Sequence, residues 1–194
     1  MQPTNRLFLT AFLRVEQPAD TLFAKTIPYC DIDLKPYQYD PALTEKMLDE
    51  AGWQKGSDGI RAKAGQKMEL GLLYNSDSVT EKAISEYLQS EYSKLGIKLN
   101  IHGEEEQSYR DKMKAGNFDM VFNICWGTPY DPQSSLAAMR MPVYGDYAAQ
   151  QGLADKQEID RAITEIMVST DELNARTCIP MCLPVCMTMR CIFR

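Results

Sequence analysis

The strongest constraint on the fold is an alternation of apolar, strand-like segments with amphipathic helix patterns. Three segments have the apolar content and length of strands: Met68–Tyr74, Ile97–Ile101 and Asp119–Cys125. A capping cluster at Ser76–Ser78 begins the helix between the first two, and Gly96 ends it. The acidic run Glu104–Glu106 begins the second helix, where negative charge favours the helix dipole, and Gly116 ends it. This order predicts an α/β fold with a parallel-rich sheet, flanking helices and right-handed crossovers.

Further helices are predicted on both sides of this strand and helix series. Asp40 is typical of an N-cap, followed by proline in the first helical turn. The polar, glycine-bearing segment 55–67 is a loop or a hairpin. Asp131 begins a short helix, and Asp155 caps a last one. The apolar stripe of that last helix consists of Ile159, Ile163, Ile166 and Met167.

Charge and hydropathy argue against several kinds of partner. The chain has 194 residues and a net charge of −6, and its lysines and arginines are interspersed with acids. Because no basic patch attracts a phosphate backbone, we expect no nucleic-acid partner. No apolar run has the length of a membrane span. The short apolar run within residues 1–14 lacks a signal cleavage site, so the chain as written is expected in the cytoplasm.

The two ends of the chain differ from its middle. We predict three regions: a poorly patterned segment 1–17, a partial lobe of a larger protein at 18–172, and a tail at 173–194. The tail contains no Asp, Glu or Lys and is dominated by Pro, Cys and Met. We interpret it as non-native, produced by a single-base slip near the codon of Asn174.

The tail cysteines allow a different hypothesis. Four of the six cysteines fall in this tail: Cys178, Cys182, Cys186 and Cys191. A spacing of four suggests a soft-metal or redox site on one helix face, but Pro180 and Pro184 interrupt that helix. We therefore keep a small soft-metal or redox protein only as an alternative.

Catalytic chemistry finds little support. His102 is the only histidine, so neither a catalytic triad nor a multi-histidine metal site can form. It follows a predicted strand, where a surface or turn position is usual. The carboxylates of Glu104–Glu106 suit acid–base work, but a helix amino-terminus explains them equally well. We predict no catalytic residue and no enzyme.

The end of the third strand carries a group of aromatic residues and prolines. Trp126-Gly127 follows the apolar run directly, and Tyr130 stands between Pro129 and Pro132. Ligands of open α/β folds bind at the carboxyl ends of strands, and aromatic faces hold small molecules by stacking. Alternatively, Trp126 belongs to the core and the prolines only shape a turn.

Several segments resemble the solute receptors of peptide and nickel ABC importers. Tyr37–Ala42 and Leu48–Trp53 match the "YDP…AGW" pattern of that family. Five further segments look like its nickel-binding branch: Ala19–Ala24, Gly103–Glu106, Trp126–Pro132, Met139-Arg140 and Gln150–Lys156. The resemblance spans about residues 18–172. It implies part of the second lobe of a type II periplasmic-binding-protein fold, in which two α/β lobes close on a solute.

The resemblance also implies a ligand site. In the nickel branch the metal arrives in a small organic chelator, held mainly by aromatic and arginine side chains. The arginine that pairs with the chelator's carboxylates comes, in that branch, from the first lobe, which the resemblance does not cover. We therefore assign ligand binding to Trp126, Tyr130, Arg140 and Tyr144. Tyr144 stands where a known nickel receptor has a histidine, so direct coordination of nickel is not expected. The implied partner is an ABC-transporter permease, and the family works outside the cytoplasm.

The leading hypothesis is a fragment of an extracytoplasmic receptor for nickel chelates. It binds without catalysis or a resident cofactor, and its ligand is the chelate. The alternative within the family is an oligopeptide or dipeptide receptor. Because one lobe forms only half of a cleft, we expect no tight nickel binding by this chain alone, and a submicromolar affinity in calorimetry would contradict this.

Overall fold

The computed structural model describes residues 26, 30–31, 39–123, 133–143, 145–153 and 155–168. They fall into two compact units. The first unit contains described residues 39–112 and 118–122, and the second contains the others. The predicted regions 1–17 and 173–194 lie outside the described residues, so the hypotheses about the tail stay predictions.

The first unit opens with helix α1, Pro41–Glu50. As predicted, Asp40 is its N-cap, and its side-chain oxygen accepts the N–H of Leu43 at 2.9 Å. Gly52 follows the helix with a φ of 87°, a left-handed conformation that glycine adopts without strain. The apolar positions Leu43 and Met47 are 52% and 51% exposed. This helix is therefore fixed by its ends more than by a buried face.

The predicted loop or hairpin at 55–67 is a small antiparallel sheet. Its strands are β1 (Gln54–Lys55), β2 (Arg61–Lys63) and β3 (Gln66–Lys67), with β2 in the middle. Ala62 lies opposite Gln54 on one side and Lys67 on the other. The hairpin alternative is confirmed, with one strand more than a simple hairpin has.

Arg61 is a buried charge that the sequence pattern did not indicate. Its side chain is only 2% exposed. Its guanidinium pairs with Asp49 and donates to the carbonyl of Trp53 at 2.6 Å and to that of Leu95 at 2.8 Å. Because each of these groups is satisfied, the arginine joins α1, the turn after it and the segment before β5.

The main sheet of the first unit is parallel, as predicted. Strand β4 (Glu69–Asn75) lies between β5 (Lys98–Glu104) and β6 (Met120–Val121). Residues 69–75 pair in register with 98–104, and Leu72–Leu73 pair with Met120–Val121. Leu72, Leu73 and Tyr74 are buried in the centre of the sheet. A central strand covered on both faces loses the alternation seen in strands with one exposed face.

Helix α2 (Val79–Lys94) connects β4 to β5 and packs against both. The hydroxyl of Ser78 caps it by accepting the N–H of Glu81 at 3.2 Å. Ser85 is fully buried, and its hydroxyl donates to the carbonyl of Glu81 at 2.8 Å. The side-chain amide of Gln89 donates to the carbonyl of Leu99 in β5 at 2.8 Å.

Helix α3 (Glu106–Ala115) leads toward β6 and ends before Gly116, as predicted. The start of this helix corrects the prediction for Glu104–Glu106. Glu104 is the last residue of β5, and only Glu106 belongs to the helix. His102 likewise lies within β5 and does not follow it. Strand β5 extends beyond the predicted end at Ile101 because its pairing with β4 continues to Asn75. This pairing outweighs the local helix preference of the acidic run.

The second unit is helical in its described part, with α4 (Gln133–Ala138), α5 (Gly145–Ala149) and α6 (Lys156–Val168). Helices α4 and α6 pack together. The side chains buried in this unit include Leu136, Met139, Ile159, Ile163 and Ile166. Met167, predicted for the same stripe, is 40% exposed because it lies one position beyond the buried face. Among the described residues, no helix is long and apolar enough to cross a membrane.

Candidate ligand site

The predicted ligand residues lie mostly outside the described part of the chain. Trp126, Tyr130 and Tyr144 are not among the described residues, so their placement stays a prediction. Arg140 is described and is exposed. The structure therefore shows only the residues that precede and follow Trp126, Tyr130 and Tyr144, and these are described below.

In the first unit, the carboxyl edge of the sheet is polar and well hydrogen-bonded. The side-chain amide of Asn75, at the end of β4, donates to Glu106 Oε2 at 2.5 Å. Its backbone N–H donates to Glu81 Oε2 at 2.9 Å. The carboxylates of α2 and α3 thus fix the turn that leaves β4. The sequence singled out Glu106 for its helix position but gave no role to Asn75 or Glu81.

Glu104 is held as a structural carboxylate. It accepts hydrogen bonds from Lys112 and from the hydroxyl of Ser108, the latter at 2.7 Å. The Lys112 hydrogen bond, followed by that of Ser108, lowers the pKa of Glu104. A general acid needs a raised pKa, so this carboxylate suits an ion pair better than proton transfer.

Tyr109 fixes the chain where it leaves β6. Its ring is buried, and its hydroxyl donates to the carbonyl of Phe122. Burial, together with the charges of Glu81 and Glu106, raises the pKa of Tyr109 to about 12. The phenol therefore remains a proton donor at neutral pH. It positions the chain four residues before Trp126.

In the second unit, a hydrogen bond joins the residues that border the predicted aromatic positions. The side-chain amide of Asn123 donates to Asp146 Oδ2 at 2.7 Å. Asn123 precedes Trp126 by three positions, and Asp146 follows Tyr144 by two. The segments that contain the predicted ligand residues are thus tied together at their described ends. Because the two partners are far apart in sequence, no local pattern indicated this contact.

A close contact fixes the start of α5. A Cβ built on Gly145 would stand 2.6 Å from Met113 Cγ and 2.7 Å from Met113 Sδ. Contacts this short do not occur with a real Cβ, so a larger residue at this position would require the Met113 side chain to move. Gly145 directly follows Tyr144 and is the first residue of α5.

Arg140 lies just after α4, and its guanidinium donates to the hydroxyl oxygen of Thr164 in α6. The Thr164 hydroxyl in turn donates to the carbonyl of Asp160 at 2.6 Å. The backbone N–H of Arg140 closes the end of α4 on the carbonyl of Ala137 at 3.0 Å. Both the main chain and the side chain of this arginine are thereby oriented.

The described residues contain no group of three or more His, Cys, Asp or Glu side chains that could hold a metal ion. His102 is exposed in β5, and Cys30 is a buried free thiol whose pKa is raised by desolvation. A buried thiol with a raised pKa is a poor metal ligand, since metals bind the thiolate.

Comparison with known proteins identifies relatives across most of the chain. The profile of the bacterial extracellular solute-binding proteins, family 5 Middle, matches residues 5–144. The nickel-binding periplasmic protein of Escherichia coli strain K12 is 41% identical over 164 residues, covering 84% of this chain and 31% of that protein. The oligopeptide-binding protein AppA of Bacillus subtilis is 30% identical over 90 residues, 46% of this chain and 17% of AppA.

Solved structures give the same result. NikA from Brucella suis, in complex with Fe(III)-EDTA, superposes with a TM-score of 0.88 at 40% identity, covering 94% of this chain and 37% of that one. AppA in complex with a nonapeptide has a TM-score of 0.75 at 18% identity, covering 91% and 36%, and so shows the fold alone. The chain spans about a third or less of the length of these relatives.

Proposed function

Because the chain belongs to family 5 of the bacterial extracellular solute-binding proteins, we propose that it is part of a receptor that captures a nickel chelate for an ABC transporter. The family and the fold class inferred from the sequence, an α/β lobe of the type II periplasmic-binding-protein fold, are confirmed. The role that follows is reversible binding rather than catalysis.

One observation carries the choice of ligand. The identity of 41% to a nickel-binding periplasmic protein extends over 84% of this chain. The similarity to the oligopeptide-binding AppA is lower and covers about half as much of it. This difference favours a metal chelate over a peptide as the solute.

The proposed ligand residues are Trp126, Tyr130, Arg140 and Tyr144. Asn123 and Asp146 support this assignment, because their hydrogen bond joins the described ends of the segments that contain the three aromatic residues. Aromatic faces provide contact area without requiring a coordination bond. We propose that the protein holds the chelator and leaves the first coordination shell of nickel to the chelator itself.

We further propose that the receptor works outside the cytoplasm and delivers its ligand to a membrane permease. The description of the family as extracellular supports this location. The cytoplasmic location expected from residues 1–14 has no such support. The permease is inferred from the family alone and is the partner to be sought once ligand binding is measured.

The two tryptophans of the chain, Trp53 and Trp126, provide the test. Nickel in its histidine complex is paramagnetic and broadens the NMR signals of nearby protons. On the isotope-labelled full chain, we expect the indole N–H signal of Trp126 to broaden at millimolar concentrations of the nickel–histidine complex. The signal of Trp53 should stay unchanged. The variant Trp126→Phe assigns the two signals.

A tripeptide such as trialanine, at the same concentration, serves as the competing ligand. We expect it to leave both indole signals in place. A shift of the Trp126 signal with trialanine and none with the nickel complex would replace the chelate by a peptide, the alternative that the relationship to AppA favours. No response of Trp126 to either ligand would overturn the proposal.

A further inference from the structure

The outer edge of strand β5 presents main-chain groups to its surroundings. Among the described strands, β5 pairs with β4 alone. The N–H of Lys98 donates to the carbonyl of Met68 at 3.0 Å, so Lys98 directs its main-chain groups to the side of β4. Successive residues of a strand direct these groups to opposite sides. The residues of β5 that face away from β4 are therefore Leu99, Ile101 and Gly103.

The features that usually protect a strand edge are weak in β5. The strand contains no proline, and its register with β4 is continuous over seven residues, without a bulge. His102 and Gly103 are exposed, and the side chain of Lys98 is 47% exposed. Charged side chains on an edge usually repel a second strand. The charges at the two ends of β5, however, have opposite signs.

These two charges make the strand complementary to a second copy of itself. Lys98 is the first residue of β5 and Glu104 is the last. In an antiparallel pair centred on Ile101, each Lys98 lies opposite Glu104 of the second copy, at a position where Cα atoms are about 4.5 Å apart. The N–H and the carbonyl of Ile101 face those of the second Ile101. Leu99 contributes less, since its carbonyl already accepts the side-chain amide of Gln89.

Other antiparallel registers lose this match. A shift by two residues in one direction places Lys98 opposite His102, and a shift in the other direction places Asn100 opposite Glu104. A shift by one residue brings side chains of opposite faces together. The centred register also has two-fold symmetry, so it gives a closed dimer and not a fibre.

The neighbouring charges extend the complementarity. Lys98 Nζ lies 3.0 Å from Oε2 of Glu69 in β4, and Glu104 pairs with Lys112 of α3. Across the contact, the row of side chains is Glu69 and Lys98 of one copy, then Glu104 and Lys112 of the other. The signs alternate along this row. Because these side chains remain partly exposed, their charges fix the register more than they add affinity.

From this arrangement we propose that two copies of the protein associate by antiparallel pairing of their β5 strands, and that Lys98 and Glu104 determine the register. The inference concerns the contact between copies and does not depend on the ligand of the receptor. Since each copy contributes little more than one strand, the dimer is weak, with a dissociation constant on the order of 100 μM.

Charge reversal in the full chain tests the register. In Lys98→Glu two acids face each other at each end of the contact, and in Glu104→Lys two lysines do. Each variant alone should dimerise about tenfold more weakly than the wild type in sedimentation equilibrium. The two variants complement each other, because opposite charges meet again at both ends. Fluorescently labelled Glu104→Lys should therefore bind Lys98→Glu about as tightly as the wild type binds itself.

Lys67→Glu is the matched control. Lys67 is 54% exposed and pairs with Asp58, and it belongs to β3 in the small antiparallel sheet. This substitution changes the net charge by the same amount as Lys98→Glu but leaves β5 intact. It should dimerise like the wild type and bind labelled Glu104→Lys more weakly than Lys98→Glu does. Equal binding of the two would attribute the recovery to net charge and overturn the inference.

Hydrogen exchange of the wild-type chain locates the contact without any substitution. The N–H of Ile101 faces the outer edge, whereas that of Lys98 is already bonded to Met68. As the protein concentration rises through the dissociation constant, exchange at Ile101 should slow severalfold while that at Lys98 stays constant. A dimer in sedimentation with unchanged exchange at Ile101 would place the contact elsewhere. A monomer at millimolar concentration would refute the association itself.

Discussion

Arg61 donates from its side-chain Nε to the carbonyl oxygen of Leu95 at 2.8 Å, at the point where α2 ends. Its backbone N–H donates to the next carbonyl, that of Gly96, at 2.7 Å. One residue of β2 thus binds the carbonyls of both residues that directly follow α2. The small antiparallel sheet is attached to the end of α2 by this contact.

Replacement of Arg61 tests this attachment. We expect Arg61→Met to lower the free energy of unfolding by about 3 kcal/mol, because the partly buried carbonyls of Trp53 and Leu95 lose their donor. The lost pairing with Asp49 contributes less, since that carboxylate is 53% exposed and becomes hydrated. Arg61→Lys keeps the charge but not the several N–H donors of the guanidinium, so its loss of unfolding free energy should be intermediate. Urea unfolding measures both, and an unchanged stability of Arg61→Met would contradict the role.

Two glycines with the same backbone conformation provide a matched comparison. Gly96 and Gly59 have φ values of 78° and 80°. A Cβ on Gly96 would meet the backbone oxygen of Gly59 at 2.9 Å, whereas one on Gly59 meets nothing within 4 Å. We expect Gly59→Ala to cost about 1 kcal/mol from the left-handed conformation alone. Gly96→Ala should cost about 1–3 kcal/mol more, from crowding, in the same urea measurement.

The contact between Gly145 and Met113 predicts a coupled pair in the second unit. In Gly145→Ala the new methyl group collides with the Met113 side chain. Overpacking costs about 1–3 kcal/mol, so the variant should be less stable. Met113→Ala makes room, and the double variant should be more stable than the sum of the single changes predicts. Strict additivity in thermal unfolding would contradict the contact.

Tyr39 predicts a loss of stability at high pH. Its hydroxyl donates to Glu91 Oε2 at 2.8 Å, and this hydrogen bond is the main cause that raises the pKa of Tyr39 to about 12. An unfolded tyrosine titrates near pH 10, so the stabilisation is complete below about pH 10 and is lost as the pH rises through about 12. Ultraviolet titration of the wild type against Tyr39→Phe isolates this group. Glu91→Gln should lower the pKa, and a normal wild-type value would contradict the contact.

Local signals in the sequence were sufficient for the N-caps of α1 and α2 and for the parallel sheet, but not for the start of α3. Asp40 and Ser78 are N-caps with side chains that were recognisable from residue type and spacing. Arg61 was not recognisable, because its side-chain partners lie 8, 12 and 34 positions away, and a lone arginine in a polar segment is usually exposed. The full length of β5 also depended on its neighbour, since the pairing with β4 determines where the strand ends.

In the ligand site, too, the sequence indicated candidate residues but not their contacts. Trp126, Tyr130 and Tyr144 were assigned through resemblance, and their placement stays a prediction. Arg140 came from the same resemblance, but its contact with Thr164, 24 positions away, could not be predicted from the sequence. The pair of Asn123 and Asp146 spans 23 positions, beyond the range of any local pattern. Side chains that meet through tertiary structure leave no periodic signal in the chain.

The hydrogen bond from Gln89 to Leu99 has a consequence for how copies of this protein behave toward each other. Among the described strands, β5 is paired on one side only, by β4. An open strand edge offers backbone groups on which another chain can add a strand. The amide of Gln89 occupies one of those carbonyls from within the molecule. The helix that completes the parallel crossover thereby leaves an added strand one acceptor fewer on this edge.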